Sequence, residues 1–306
     1  MNQRFIPLLG CCLMLTGCTD IRSRLSPDVL AIETGSTVRT AMHATQDDSV
    51  LTAEADSPML FREALERKAG ASVFAGHLSL LLISGNPADI LPDYLYKQFI
   101  SPTCKVLYVP ENACGLLQSG DAPTAGQLDA AVSTGQLPAR TADLVFGDLC
   151  GGSGVSVLPA YSGGRLTLAA FSPEEICGFL SESACRGLAL LAERYETFAF
   201  DAEGAPCSIR SRSLHISAEK KGESLCFAVS GSVRAETAHP EAAHQKLTEM
   251  LLAALTETAR NTGADILFLR ETAVRNKLAG IAGCSREQWR SMLQTADFCV
   301  NIQLTA

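Results

Sequence analysis

Beyond its first fifteen residues the sequence has no apolar run long enough to cross a bilayer, so nothing later in the chain reads as a membrane span. It has no Cys-x-x-Cys spacing and no paired Cys/His cluster, which argues against structural zinc. The glycine-rich run Gly151, Gly152, Ser153 and Gly154 lacks the spacing of a phosphate loop and has no following lysine. It also fails as a Gly-x-Ser-x-Gly nucleophile elbow, because Val155 stands where the second glycine belongs. Positive charge is in deficit: 25 Lys and Arg face 33 Asp and Glu, a net charge of −8, so nothing here attracts nucleic acid or an anionic lipid surface. No cofactor and no metal is expected. What the chain does have is apolar content, 47% against 19% charged, which suits a folded protein with ample core.

The N-terminus has the layout of a secretory signal. Met1 to Arg4 is short, polar and carries one positive charge, and Phe5 to Leu15 is apolar. That run is about half of the roughly 20 residues a spanning helix needs, so something else has to hold the mature protein at a membrane. Leu15, Thr16, Gly17 and Cys18 look like the lipobox of bacterial lipoproteins. Small residues there admit the signal peptidase, and the Cys18 sulfur is the nucleophile that takes up the lipid. A single acyl chain binds only marginally, but each buried methylene adds about 0.8 kcal/mol, so two or more chains anchor firmly. The expected anchor is therefore Cys18, residue one of the mature chain after removal of residues 1–17.

Nine cysteines follow: Cys104, Cys114, Cys150, Cys177, Cys185, Cys207, Cys226, Cys284 and Cys299. An odd number cannot all pair within one chain. Cys226 before Phe227, and Cys299 between Phe298 and Val300, sit in apolar runs where free cysteine behaves as a small hydrophobe, so buried thiols are favoured over a disulfide framework.

The periodicity predicts an α+β chain of mixed sheets and packed helices, divided into two to three α/β domains. Thr40 to Ser57, rich in Thr, Ala and Asp, reads as a loop. A helix is expected from Pro58 to Lys68 with Gly70 as its stop, then a central strand over Val73 to Ile83, a helix over Pro87 to Phe99 and a strand over Lys105 to Val109. Between Gly115 and Pro159 the pattern is weak, and the glycines from Gly151 to Gly164 read as a flexible link. After it come strands at Leu166 to Phe171 and Ile176 to Leu180, a helix from Ser181 to Glu193 capped by Ser181, and a strand at Tyr195 to Phe200. A long hairpin follows over Cys207 to Ala235, turning at Lys220, Lys221 and Gly222. The longest helix is expected from Pro240 to Asn261 with Gly263 as its stop, and Ser285 with Gln288 forms a capping-box pattern for a last helix. The final strand alternates Phe298, Val300, Ile302 and Leu304 with Cys299, Asn301, Gln303 and Thr305, and the C-terminal half reads as an antiparallel sheet with helices. The domains drawn from this are 18–162, a small middle unit 163–204, and 205–306.

Four stretches, in order, carry a likeness to one family. Asp20, Ile21 and Arg22 precede Leu25 and then Ala31, Ile32, Glu33, Thr34 and Gly35; Leu60, Phe61, Glu63, Ala64 and Leu65 lead to Phe74, Ala75, Gly76, His77 and Leu78. Leu168 to Phe171 is followed by Gly178, Leu180, Ser181, Glu182 and Gly187 to Leu191, and Gly263, Ala264, Asp265 and Ile266 by Trp289 and the alternating end strand. In these the chain resembles the Ger(x)C spore germination lipoproteins, the C subunits of nutrient germinant receptors. Thr19 departs from the tryptophan usual after the lipidated cysteine, and the stretches near Thr40 and Ala122 do not match. The resemblance implies a three-domain mixed α/β protein on the outer face of the spore inner membrane. It also implies integral-membrane A and B subunits as partners, and no catalytic residues.

The alternative is an extracytoplasmic lipoprotein hydrolase or solute-binding protein. Its nucleophile would be Ser153, its base His77, His215, His239 or His244, and its orienting carboxylate Asp148 or Asp265. His77, in a strand that reads as buried, is more simply a satisfied core histidine. His239 and His244 are five apart, off the spacing that puts two ligands on one helical face, and Asp265 past Gly263 is expected to bond a turn backbone.

Overall fold

The computed structural model describes residues 24–44, 49–151, 153–192, 195–222 and 224–305. The signal segment, Cys18, and Asp20, Ile21 and Arg22 of the family-like stretch lie outside the described residues.

The first strands are β1 (Arg24–Leu25), β2 (Pro27–Glu33), β3 (Val38–Ala44) and β4 (Ser49–Ala55). Helix α1 (Phe61–Ala69) ends on Gly70 in the left-handed conformation, as expected of that stop. Next come β5 (Ser72–Val73), paired with β1, then β6 (Leu80–Ser84), α2 (Leu91–Tyr96) and β7 (Lys105–Tyr108). Three short helices, α3 (Ala113–Ser119), α4 (Ala125–Ser133) and α5 (Ala142–Cys150), precede β8 (Ser156–Ser162), β9 (Arg165–Phe171) and β10 (Ile176–Phe179).

Eight of these strands make one sheet in the order β10-β9-β8-β7-β6-β2-β3-β4. Its centre, β2, β6, β7 and β8, is parallel and both wings are antiparallel. Every residue of β6 is buried because helices cover both faces. Leu81 and Ile83 pack with Phe61, Leu65, Tyr94 and Val145 on one side; Leu80 and Leu82 pack with Cys114, Leu117 and Leu128 on the other.

Several local expectations are corrected here. The Thr40–Ser57 loop is the β3–β4 hairpin: Thr40 is buried and its hydroxyl donates to the Ala53 carbonyl at 3.2 Å, and β-branched threonine suits a strand as well as it suits a loop. The single strand over Val73 to Ile83 is broken by a 3-10 turn at Ala75–His77. The Phe74 ring folds over Gly76 there, 2.6 Å from where a Cβ would stand, and His77 is exposed rather than a core histidine. The supposed flexible link holds β8, whose first five residues are buried, and Gly163 and Gly164 (φ 57° and 78°) make the tight turn into β9. Strands β9 and β10, inside the segment set apart as a middle unit, hydrogen-bond to the edge of the same large sheet.

Helix α6 (Glu182–Ala192) leads to β11 (Phe198–Ala202), β12 (Ala205–Lys221) and β13 (Ser224–Glu236), an antiparallel run that includes the expected long hairpin. Gly231 at φ 142° lets β12 cross closely, since a Cβ there would lie 1.9 Å from the Ser213 carbonyl oxygen. Helix α7 (Pro240–Leu255) continues as a π-helical turn over Thr256–Thr262 and stops on left-handed Gly263. After α8 (Leu269–Arg275), the Ser285/Gln288 capping box opens α9 (Arg286–Thr295) as expected. The chain closes in β14 (Asp297–Thr305), which pairs in parallel with β13 as the edge of the four-stranded sheet β11-β12-β13-β14. Phe227, Val229, Val233, Leu247, Leu251, Trp289 and Leu293 form its helix-covered core. The molecule is thus α+β, with mixed sheets and packed helices.

Candidate functional site

A groove of about 1000 Å³ runs along the β10 edge of the large sheet. Its walls are the α3–α4 loop, the β8–β9 turn, strands β9 and β10, and the first turns of α6. Each wall is fixed locally. Left-handed Gly120 ends α3. Thr124 and Gln127 then close a reciprocal capping box, the Thr124 N–H donating to Gln127 Oε1 at 2.8 Å and the Gln127 N–H to Thr124 Oγ1 at 3.2 Å. The glycine pair at the hairpin tip places Tyr161 and Arg165. Helix α6 starts on Ser181, whose hydroxyl accepts the Ala184 N–H at 3.2 Å. Glu257, from the π-helical turn, takes the Ser181 N–H at 2.7 Å and its hydroxyl at 2.6 Å.

The groove presents Arg165 and Arg186 against Asp121 and Glu182, the amides of Gln127 and Gln136, and the half-exposed ring of Phe179. The Arg186 guanidinium lies 5.2 Å over the Phe198 ring and donates to the Ala199 carbonyl. Burial lowers its pKa, with Glu182 at 4.0 Å acting in the opposite sense. Cys185 is buried at the groove floor, and burial pushes its thiol up to about 11, so it stays protonated and is no nucleophile at neutral pH. This arrangement offers hydrogen bonds of both polarities and an aromatic face, a set suited to binding.

The residues proposed for a hydrolase are not brought together. Ser153 is buried and its Oγ accepts the Val155 N–H at 3.4 Å. Asp148 sits in a closed cluster instead: Arg140 donates to it and to Ser156 Oγ (3.0 Å), and Ser156 donates to Asp148 at 2.8 Å. Burial pushes the Asp148 carboxyl up, against the pull of Arg140 and Ser156. His77 meets the Phe74 ring edge-on, His215 pairs with Ser230 at 3.0 Å, His239 stands at the N-cap position of α7 without a side-chain capping bond, and His244 bonds the Ile302 carbonyl at 3.0 Å. Asp265 does bond the turn backbone, accepting the N–H groups of Leu269 (2.7 Å) and Arg270 (3.1 Å). It also takes the Trp289 indole N–H at 2.8 Å, joining two pieces of the family-like C-terminal stretch. Among the described residues no group of three or more metal-ligating side chains converges.

Sequence reasoning missed Tyr161, Arg165, Phe179 and Arg186. The only signals near them were the glycines at the loop ends, and these read equally well as a linker.

No family model matches the chain, and no curated protein sequence does. Compared in three dimensions, its fold matches the crystal structure of the GerBC protein with a TM-score of 0.57 at 13% identity, over 90% of this chain and 96% of that one. The chain has a Ger(x)C-like fold. At that identity the likeness is one of fold, and it extends through both sheets, since nine-tenths of the chain is included.

Proposed function

We propose that the chain is the C-type subunit of a spore nutrient germinant receptor. In this reading it is a non-enzymatic lipoprotein tethered through Cys18 to the outer face of the spore inner membrane, beside integral-membrane A and B subunits. The observation that supports it is the end-to-end likeness to the GerBC protein, which covers 96% of that chain and joins the motif order already read from the sequence. The lipobox supplies the tether: no helix among the described residues is long and apolar enough to cross a membrane.

Deleting the gene and measuring spore germination with a panel of nutrients tests the reading. The expected outcome is loss of the response to at least one nutrient; unchanged germination with every nutrient would overturn it. Cys18→Ala tests the tether, because it should move the protein from the membrane to the soluble fraction with its fold intact. A variant still bound tightly to membrane after removal of its signal segment would show that protein contacts hold it there.

A further inference from the structure

The nine cysteines among the described residues are all unpaired, yet two of them are neighbours. Cys226 stands on β13 directly opposite Glu219 of β12 and Asp297 of β14, and Cys299 stands opposite Ala228. Side chains in register across neighbouring strands share a face and alternate along each strand. Phe227 and Phe298, which stack at 6.0 Å, point into the helix-covered core. Cys226 and Cys299 therefore point to the opposite face, where Cys226 is a buried free thiol as expected and Cys299 is only half-buried. The register makes them diagonal neighbours on that face, where Glu219 and Lys221 of β12, paired at 2.9 Å, stand beside Cys226. Cys299 is partly exposed and Cys226 is buried beneath its neighbours.

We propose that Cys226 and Cys299 form a redox-modification site for small disulfide oxidants, closing into a cross-strand bond that staples β14 to β13. The Cys299 thiolate attacks one sulfur of the oxidant R–S–S–R; that S–S bond breaks, and the departing thiolate takes up the proton Cys299 has lost. Cys226 then gives up its proton and attacks the Cys299 Sγ. The mixed disulfide breaks and releases the second R–SH. Two protein thiols are oxidised and one small disulfide is reduced to two thiols, so hydrogens and electrons balance. Burial raises the Cys226 pKa, with Cys299 and Glu219 acting in the same sense and Lys221 against them. Across a parallel pair, strands about 4.8 Å apart and a two-residue rise of about 6.6 Å put diagonal Cα atoms about 8 Å apart, beyond the usual disulfide range of about 4.4–6.8 Å. Closure thus needs a shift of about one to two ångströms. β14 can supply it, because it is an edge strand paired on one side only.

The test treats the full chain with oxidised glutathione, blocks remaining thiols with iodoacetamide, and maps tryptic peptides by mass spectrometry. The expected product is peptide 222–234 linked to peptide 291–306, lost on reduction with dithiothreitol and absent from Cys299→Ser. Cys226→Ser should instead keep a stable glutathione adduct on Cys299. The linked form should also exchange its 297–305 backbone amides more slowly than the reduced form. A wild-type chain in which Cys299 keeps glutathione while Cys226 is alkylated, or in which Cys299 links to exposed Cys150, would overturn the site. Unchanged amide exchange in the linked chain would overturn the staple.

Discussion

Asp265→Ala is the substitution through which the packing of the C-terminal half is best measured. The carboxyl is buried, its Oδ1 takes the Leu269 N–H, and its Oδ2 takes both the Arg270 N–H and the Trp289 indole N–H. Alanine leaves three donors with no acceptor, two of them buried, at about 1–3 kcal/mol for each buried group left unsatisfied. Removing the carboxyl also removes its own burial penalty, so a net loss of about 3 kcal/mol is expected. Asparagine keeps an acceptor but turns an NH₂ toward at least one donor, and should cost about 1–2 kcal/mol. The pH dependence follows from the balance at the carboxyl: burial outweighs the three donors and pushes its pKa up to about 7. A folded-state value above the unfolded one means that the folded chain holds the proton more tightly. The contribution to stability is full below the ordinary carboxylate range, falls as pH rises toward about 7, and levels off above it. Urea unfolding followed by fluorescence reads this directly, since Trp289 is the only tryptophan in the chain. The parent should be less stable at about pH 8 than at about pH 5, and Asp265→Asn should lose that slope. An alanine variant within about 0.5 kcal/mol of the parent, or an asparagine variant with the slope intact, would refute the reasoning.

The joint between the two sheets gives a second expectation: a Cβ at Gly187 of α6 would lie 2.0 Å from the Met250 carbonyl oxygen of α7, so Gly187→Ala should destabilise by about 2–3 kcal/mol, read in the same unfolding assay. A substitution that leaves the urea midpoint unmoved would mean that the two helices are not in close contact. In the large sheet, Asp148→Ala leaves the Arg140 guanidinium, only 8% exposed, without its carboxylate and should cost about 3–5 kcal/mol. The pair Arg140→Met with Asp148→Leu should recover most of that loss, and a double variant no better than the single one would contradict a closed ion pair.

What could be read in advance was whatever neighbouring residues decide among themselves. Gly70 and Gly263 as helix stops, the Ser285/Gln288 box and the alternation of the last strand are settled within four or five residues, and each is present. Thr40 misled because threonine serves loops and strands alike, and its burial is decided by Ala53 on a partner strand. Cys226 is buried as its apolar neighbours suggested, whereas Cys299 is only half-buried, because those neighbours do not reveal that β14 is an edge strand. The groove was illegible for a stronger reason. Its lining comes from segments as far apart as Gly120 and Arg186, and only the order of strands in the sheet brings them together.

That order also makes the groove answer to the C-terminal half. One wall, with Glu182 and Arg186, belongs to α6, but α6 is gripped from the other side of the joint. Glu257 holds both polar groups of Ser181 at its cap, and Glu249 accepts the Ser183 hydroxyl at 3.1 Å. Gly187 allows the α7 backbone to press against it, and Arg186 itself reaches over to the Ala199 carbonyl and the Phe198 ring of β11. The opposite wall, Tyr161, Arg165 and Phe179, is carried by the large sheet. A rigid shift of the four-stranded sheet against the eight-stranded one would therefore move Glu182 and Arg186 against Arg165 and Phe179. Conversely, a molecule that bridges the two walls would bias the joint by the difference in its affinity for the two arrangements. The π-helical turn that supplies Glu257 lies where the longest helix meets the groove wall, so a departure from regular helix there coincides with the contact through which the two halves are coupled.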